Sequence, residues 1–150
     1  EAGHRVVATG GSDTHGPGED WERVGLNVVW SPGCTEEAIL GAVASGHLFA
    51  SCGPSLELSA ASGGRVAMMG DTLAAGSAEI GVRWDGCPPG SFLRLVGTGG
   101  VLDEVRAGGG GTRRWEGMRG RWFTAEVRGR EGGLLAVTNP VRIEPAGAAS

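Results

Sequence analysis

Asp13 and His15 are the residues of this chain whose types and spacing could do chemistry. In an extended backbone, positions i and i+2 project to the same side, so a carboxylate and an imidazole can reach one cation. Asp supplies a hard oxygen and His a borderline nitrogen, a mix that suits Zn, Mn or Fe. The pair follows Arg5-Val-Val-Ala-Thr9, which reads as a short apolar strand, and then Gly10 and Gly11. That puts both side chains at the C-terminal end of a strand, where catalytic groups collect in barrel enzymes. The plainer reading of an isolated Asp-x-His is a solvated loop pair.

Other candidates have simpler explanations. Ser12 stands between Gly11 and Asp13, but the Gly-x-Ser-x-Gly elbow of a serine hydrolase is absent. His47, directly after a helix C-terminus, reads as a dipole partner or a packed side chain. Gly70-Asp71-Thr72 reads as a turn in which Asp bonds its own backbone. Arg113, Arg114, Arg119 and Arg121 form a local basic cluster around Trp115. A solvated loop is the default there, with an anion or partner contact through Arg113, Arg114 and Arg119 as the functional alternative. The five Trp residues could line a sugar-binding face, although core packing is the commoner use. Cys34, Cys52 and Cys87 are odd in number and widely spaced, so they read as buried or half-buried free thiols.

The elements that must position Asp13 and His15 are short. Residues 16–23 form a polar, turn-rich loop, and Val24–Trp30 reads as an apolar strand closed by Ser31-Pro32-Gly33. Residues 36–45 are the one convincing helix. Thr35 is placed as its N-cap, Glu36 and Glu37 fill the first turn, and Gly46 suits C′. Ile39, Leu40 and Val43 give that helix an apolar face.

After residue 46 the texture changes to runs at 47–51, 55–60, 78–84, 92–97, 101–106, 121–128 and 134–143. Gly, Pro and Asp clusters separate them, and about seven short strands with such turns predict an antiparallel sandwich. The expected fold is therefore mainly β with a small α/β N-terminal portion. The domain boundary falls near residues 53–54, giving 1–53, a sandwich over 54–146 and a tail at 147–150.

Composition narrows the classes. A chain of 150 residues with 40% hydrophobic content can pack one ordinary domain. A net charge of −4 argues against a general nucleic-acid binder. No apolar run approaches the roughly 18 residues of a membrane span. The 30 glycines are scattered rather than periodic, which fits tight turns between strands. All 13 basic residues are Arg, spread along the chain rather than gathered in a patch.

Gly-Gly-Ser-Asp-Thr-His-Gly-Pro at 10–17 is similar to the last metal-binding motif of the PHP family, the polymerase-and-histidinol-phosphatase type of metallohydrolase. Later segments resemble the longer bacterial members, which carry a C-terminal β domain. They are Ser45-Gly-His-Leu-Phe-Ala-Ser51, Gly53-Pro-Ser-Leu-Glu-Leu58, Met69-Gly-Asp-Thr72 and Leu135-Ala-Val-Thr-Asn-Pro140. They occur in the order those proteins show and span nearly the whole chain.

The resemblance implies a (β/α)7 barrel whose metal site gathers several His and acidic ligands, the last Asp and His mapping to Asp13 and His15. The opening His-x-His and the middle ligands have no counterpart here, and His4 and His47 match no ligand position. Phosphoester hydrolysis needs metals that hold and activate a water and neutralise the phosphate. Two ligands leave a cation mostly water-bound, so Zn, Mn or Fe should bind this chain weakly and the chain alone should be inactive. The chain opens on Glu1, and the rest of the barrel, about 200 to 300 residues, is expected upstream as its partner. The parent's substrate would be a small phosphoester.

Two other classes compete. One is a non-catalytic carbohydrate- or protein-binding sandwich, which would lack an upstream His-x-His. The other is a structural domain for oligomer assembly, which would show a large apolar patch on one sheet.

Overall fold

The computed structural model describes residues 6–11 and 25–145. Helix α1 (Glu36–Ser45) forms where the capping signals put it. Thr35 is extended, and its Oγ1 accepts a hydrogen bond from the Ala38 N–H at 3.3 Å. Gly46 ends the helix in the left-handed region at φ 79°, and its N–H reaches the carbonyls of Ala42 and Val43. The expected apolar face is not the buried one. Ala42 is the buried residue of the helix, while Ile39 and Leu40 are 40% and 59% exposed.

Among the described residues, twelve strands flank that helix in sequence: β1 (Leu26–Val29) before it, then β2 (Leu48–Ser51), β3 (Ser55–Ser62), β4 (Arg65–Met68), β5 (Thr72–Ala74) and β6 (Ala78–Cys87). They continue as β7 (Phe92–Gly97), β8 (Gly100–Arg106), β9 (Gly109–Met118), β10 (Trp122–Arg128), β11 (Leu134–Thr138) and β12 (Val141–Glu144). One sheet follows the order β1-β2-β11-β10-β12-β5, with β7 on the other side of β10 and β8 beyond β7. The second sheet is β4-β3-β6-β9.

The fold is mainly β, as expected. Its core lies between the sheets because alternate residues of each strand face inward. Leu56, Leu58, Ile80 and Val82 from the smaller sheet meet Leu93, Leu95, Phe123 and Val127 from the larger, all buried. Each such side chain contributes about 1.5–3 kcal/mol when buried, so a one-residue slip of any central strand would be prohibitive.

Four features depart from the sequence reading. The expected strand 134–143 is two strands, β11 and β12, broken at Asn139-Pro140. β9 replaces the expected Gly- and Arg-rich loop and pairs along β6 from Ala78↔Met118 to Cys87↔Gly109. β4 and β5 are additional. The sheet is also mixed, since β12 runs parallel to β5 with Arg142 opposite Thr72. The boundary expected at 53–54 falls between β2 and β3, and the larger sheet runs across it, with Ser51 of β2 opposite Ala136 of β11.

The break in β11–β12 has a compact physical account. Proline has no N–H for the ladder, so β10 pairs with β11 at Glu126–Arg128 and with β12 only at Trp122 and Phe123. The buried Thr138 fills the gap. Its Oγ1 accepts from the Ala125 N–H at 3.0 Å, and its carbonyl accepts from Thr124 Oγ1 at 2.7 Å. Thr138→Val, nearly the same shape, should therefore cost about 1–3 kcal/mol by leaving a buried N–H unpaired. Urea unfolding measures this, and a loss below about 0.5 kcal/mol would refute that account.

Candidate functional site

Asp13 and His15 lie outside the described residues, as do Ser12 and His4. What is described is the segment that leads to them, residues 6–11, and how it is held. The expected strand over 5–9 forms no ladder among the described residues. Two asparagine side chains take the place of a neighbouring strand. The Ala8 N–H donates to Asn139 Oδ1 at 2.8 Å, and Asn139 Nδ2 donates back to the Ala8 carbonyl at 2.9 Å. Two residues on, the Gly10 N–H donates to Asn27 Oδ1 at 2.7 Å, and Asn27 Nδ2 returns a bond to the Gly10 carbonyl at 2.9 Å. A carboxamide carries the same donor and acceptor as a peptide group, so each Asn completes a pair a strand would otherwise make.

Asn139 is 2% exposed, and its Nδ2 also donates to the Leu48 carbonyl at 3.0 Å, fixing the amide to the start of β2. Space is as tight as the bonding. A side chain at Gly10 would put its Cβ 3.1 Å from Ala50 Cβ and 3.2 Å from the Gly25 carbonyl oxygen. Neither Asn was singled out in the sequence. The Asn-Pro dipeptide inside an apparent strand was the available signal for Asn139.

The same junction gathers the other motifs. His47 Nε2 lies 2.7 Å from Asp71 Oδ1, and Asp71 Oδ2 accepts from the Met68 N–H at 3.0 Å. Gly70 lies in the turn between β4 and β5, but the Asp71 carboxylate bonds the backbone of Met68 rather than its own, and His47 has this carboxylate as a partner in place of the expected dipole or packing role. The Gly70 N–H donates to the Pro140 carbonyl at 2.8 Å, and the Arg142 N–H to the Asp71 carbonyl at 2.9 Å. The end of α1, the β4–β5 turn and the β11–β12 break thus close on one another beside residues 6–11. Among the described residues, no three His, Cys, Asp or Glu side chains come together in a way that could hold a metal ion.

The Arg cluster is dispersed by strand alternation. Arg113 and Arg114 take opposite faces of β9. Arg113 lies 3.7 Å from Asp103 of β8 and 5.8 Å from the Trp115 ring centre, and Trp115 Nε1 donates to Asp103 Oδ2 at 2.7 Å. That trio links the edges of the two sheets. Arg114 faces outward, 3.7 Å from Glu79, and Arg119 is exposed beyond the end of β9.

The thiols are also dissimilar. Cys34 is exposed, Cys52 is half-buried and Cys87 is buried. Cys34 therefore departs from the expectation of three covered thiols. Burial, and then the neighbouring Asp85 charge, push the Cys87 thiol above the ordinary cysteine range. The thiolate is the reactive form, so iodoacetamide at neutral pH should label Cys34 first and leave Cys87 unlabelled until the chain unfolds. Mass spectrometry of the alkylated chain reads this out, and equal labelling of both would refute it.

Among the described residues no helix is long and apolar enough to cross a membrane. Comparison of the chain with protein-family models, curated proteins and solved structures gave no match.

Proposed function

We propose that this chain is the C-terminal part of a PHP-type metal-dependent phosphoesterase, to which it contributes Asp13 and His15 as two metal ligands. The observation that carries the reading is the junction. Motifs that carry the resemblance, at 45–51, 69–72 and 135–140, meet around the segment that runs into Gly-Ser-Asp-Thr-His. Asn139 and Asn27 hold that segment by side-chain amides, an expense of two polar side chains that a plain loop would not need. The apolar surface of β1 and α1 supports the reading as well. Leu26, Val28, Ile39 and Leu40 are all at least 40% exposed, as the end of a barrel would be without the strands and helices that cover it.

Asp and His donors suit Zn, Mn or Fe, and such a metal would supply an activated water and charge for the phosphate. With two ligands the chain binds metal weakly and is inactive alone; the remaining ligands belong to the upstream barrel. The test is to read and express the gene upstream of Glu1. A His-x-His segment after a strand, with phosphatase activity on p-nitrophenyl phosphate that Asp13→Ala or His15→Ala reduces by at least 100-fold, is the expected result. An upstream region without that motif would sink the proposal. Turnover by the isolated chain would sink its inactivity.

A further inference from the structure

The outer face of the smaller sheet carries a groove that the phosphoesterase reading does not use. Inward residues of β3 and β6 fill the core, so their neighbours face solvent, and register stacks these into rows. In one row Ser59 lies opposite Gly81, and Gly81 opposite Arg114. In the next, Glu57 lies opposite Arg83, and Arg83 opposite Thr112. Gly81 has no side chain to fill its place in the middle of the first row, and a trough results. Trp30, just past the end of β1 and 47% exposed, closes one side. The groove encloses about 400 Å³, within the roughly 300–1,000 Å³ of small-molecule sites.

We infer that this groove binds a saccharide unit bearing an acid group, such as a hexuronate. A pyranose ring has an apolar C–H face and an edge of hydroxyls, and the groove offers both complements. The Trp30 indole supplies a flat apolar wall, while Glu57, Ser59 and Thr112 supply acceptors and donors of hydroxyl grade.

The arginine donors favour an acid. Arg83 and Arg114 line the groove with Glu57, and Glu79 lies beside Arg114. Arg83 stands 3.8 Å from Glu57 and Arg114 3.7 Å from Glu79, beyond hydrogen-bond reach. Each guanidinium thus has an ion-pair partner but is not forked on it, and a ligand carboxylate held bidentately would add the hydrogen bonds those pairs lack. The inference rests on β3, β6, β9 and Trp30 and is independent of Asp13 and His15.

Titration of this chain with tetragalacturonate, followed by calorimetry, tests it. An open groove of this size should give a dissociation constant on the order of 1 mM or tighter. Trp30→Ala and the Arg83→Gln/Arg114→Gln pair should each weaken binding at least 5-fold.

Gly81→Val is the blocking variant. The strand conformation at Gly81 suits a β-branched residue. The new Cβ would meet only the Ser59 Oγ, at 3.1 Å, a hydroxyl that can turn aside. The fold should hold, with an unchanged or higher melting temperature, and binding should vanish.

A neutral tetraglucoside should bind at least 5-fold more weakly. Equal binding of the neutral sugar would overturn the acid assignment. Full competition by inorganic sulfate at the same affinity would reduce the site to a bare anion patch and overturn the saccharide. Undiminished binding by folded Gly81→Val, or none by the parent chain at 10 mM ligand, would overturn the groove itself.

Discussion

Replacing Asn139 by Ala is expected to lower the stability of this chain by about 2–4 kcal/mol and to release the backbone at Ala8 from the β-sheet. Three hydrogen bonds from one buried amide are lost, two to Ala8 and one to Leu48. The Leu48 carbonyl keeps a weaker bond from the Asn139 N–H at 3.3 Å, and Ala8 is exposed. Water can therefore recover some of the loss at Ala8, which holds the total below three full desolvation penalties. Urea unfolding gives the magnitude. Amide hydrogen exchange gives the location: the Ala8 N–H should lose protection in Asn139→Ala, while Asn27→Ala should release Gly10 and leave Ala8 protected. Unchanged Ala8 protection in Asn139→Ala would show that this amide does not hold the segment.

The second large effect is at Gly70. Its φ is +93°, and an added Cβ would lie 2.4 Å from the Ser45 carbonyl oxygen and 2.6 Å from the Gly46 carbonyl carbon. Both are backbone atoms at the end of α1, so neither can swing aside. Gly70→Ala should cost about 3 kcal/mol or more, combining left-handed strain with a displaced helix terminus. Gly64 is the internal control. It also has positive φ, +76°, but nothing lies within 4 Å of its added Cβ. Gly64→Ala should cost only about 1 kcal/mol. Similar unfolding midpoints for the two variants would mean that strain alone, not the contact with α1, decides the cost at Gly70.

Legibility in the sequence followed how local the determining interaction was. Helix α1 is decided by Thr35 and Gly46 within its own turns, and its ends were readable. Its buried face was not, because the exposure of Ile39 and Leu40 depends on what packs against α1, which no 3.6-residue pattern contains. β9 was hidden by its four glycines, which have low strand preference; it is a strand because β6 supplies a ten-residue partner. Alternation in β6 and β10 was readable, since one face of each is core. The run 134–143 looked continuous because both halves carry apolar residues, and only Pro140 marked the break.

For the site, Asp13 and His15 announced themselves by type and spacing. Asn27 and Asn139 did not, because their partners Gly10 and Ala8 are 17 and 131 residues away. Long-range polar contacts of that kind leave no periodic trace.

That separation of 131 residues between Ala8 and Asn139 sets a timetable. A ribosome adding about 5–20 residues per second delivers Asn139 only at the end of the described chain. The segment leading to Gly-Ser-Asp-Thr-His is synthesised well before the amide that anchors it. Until then Ala8 has no amide to pair with, and a chain truncated before residue 139 never acquires one. The Asn139 clasp therefore ties the ordering of residues 6–11 to the arrival of a residue made 131 positions after Ala8.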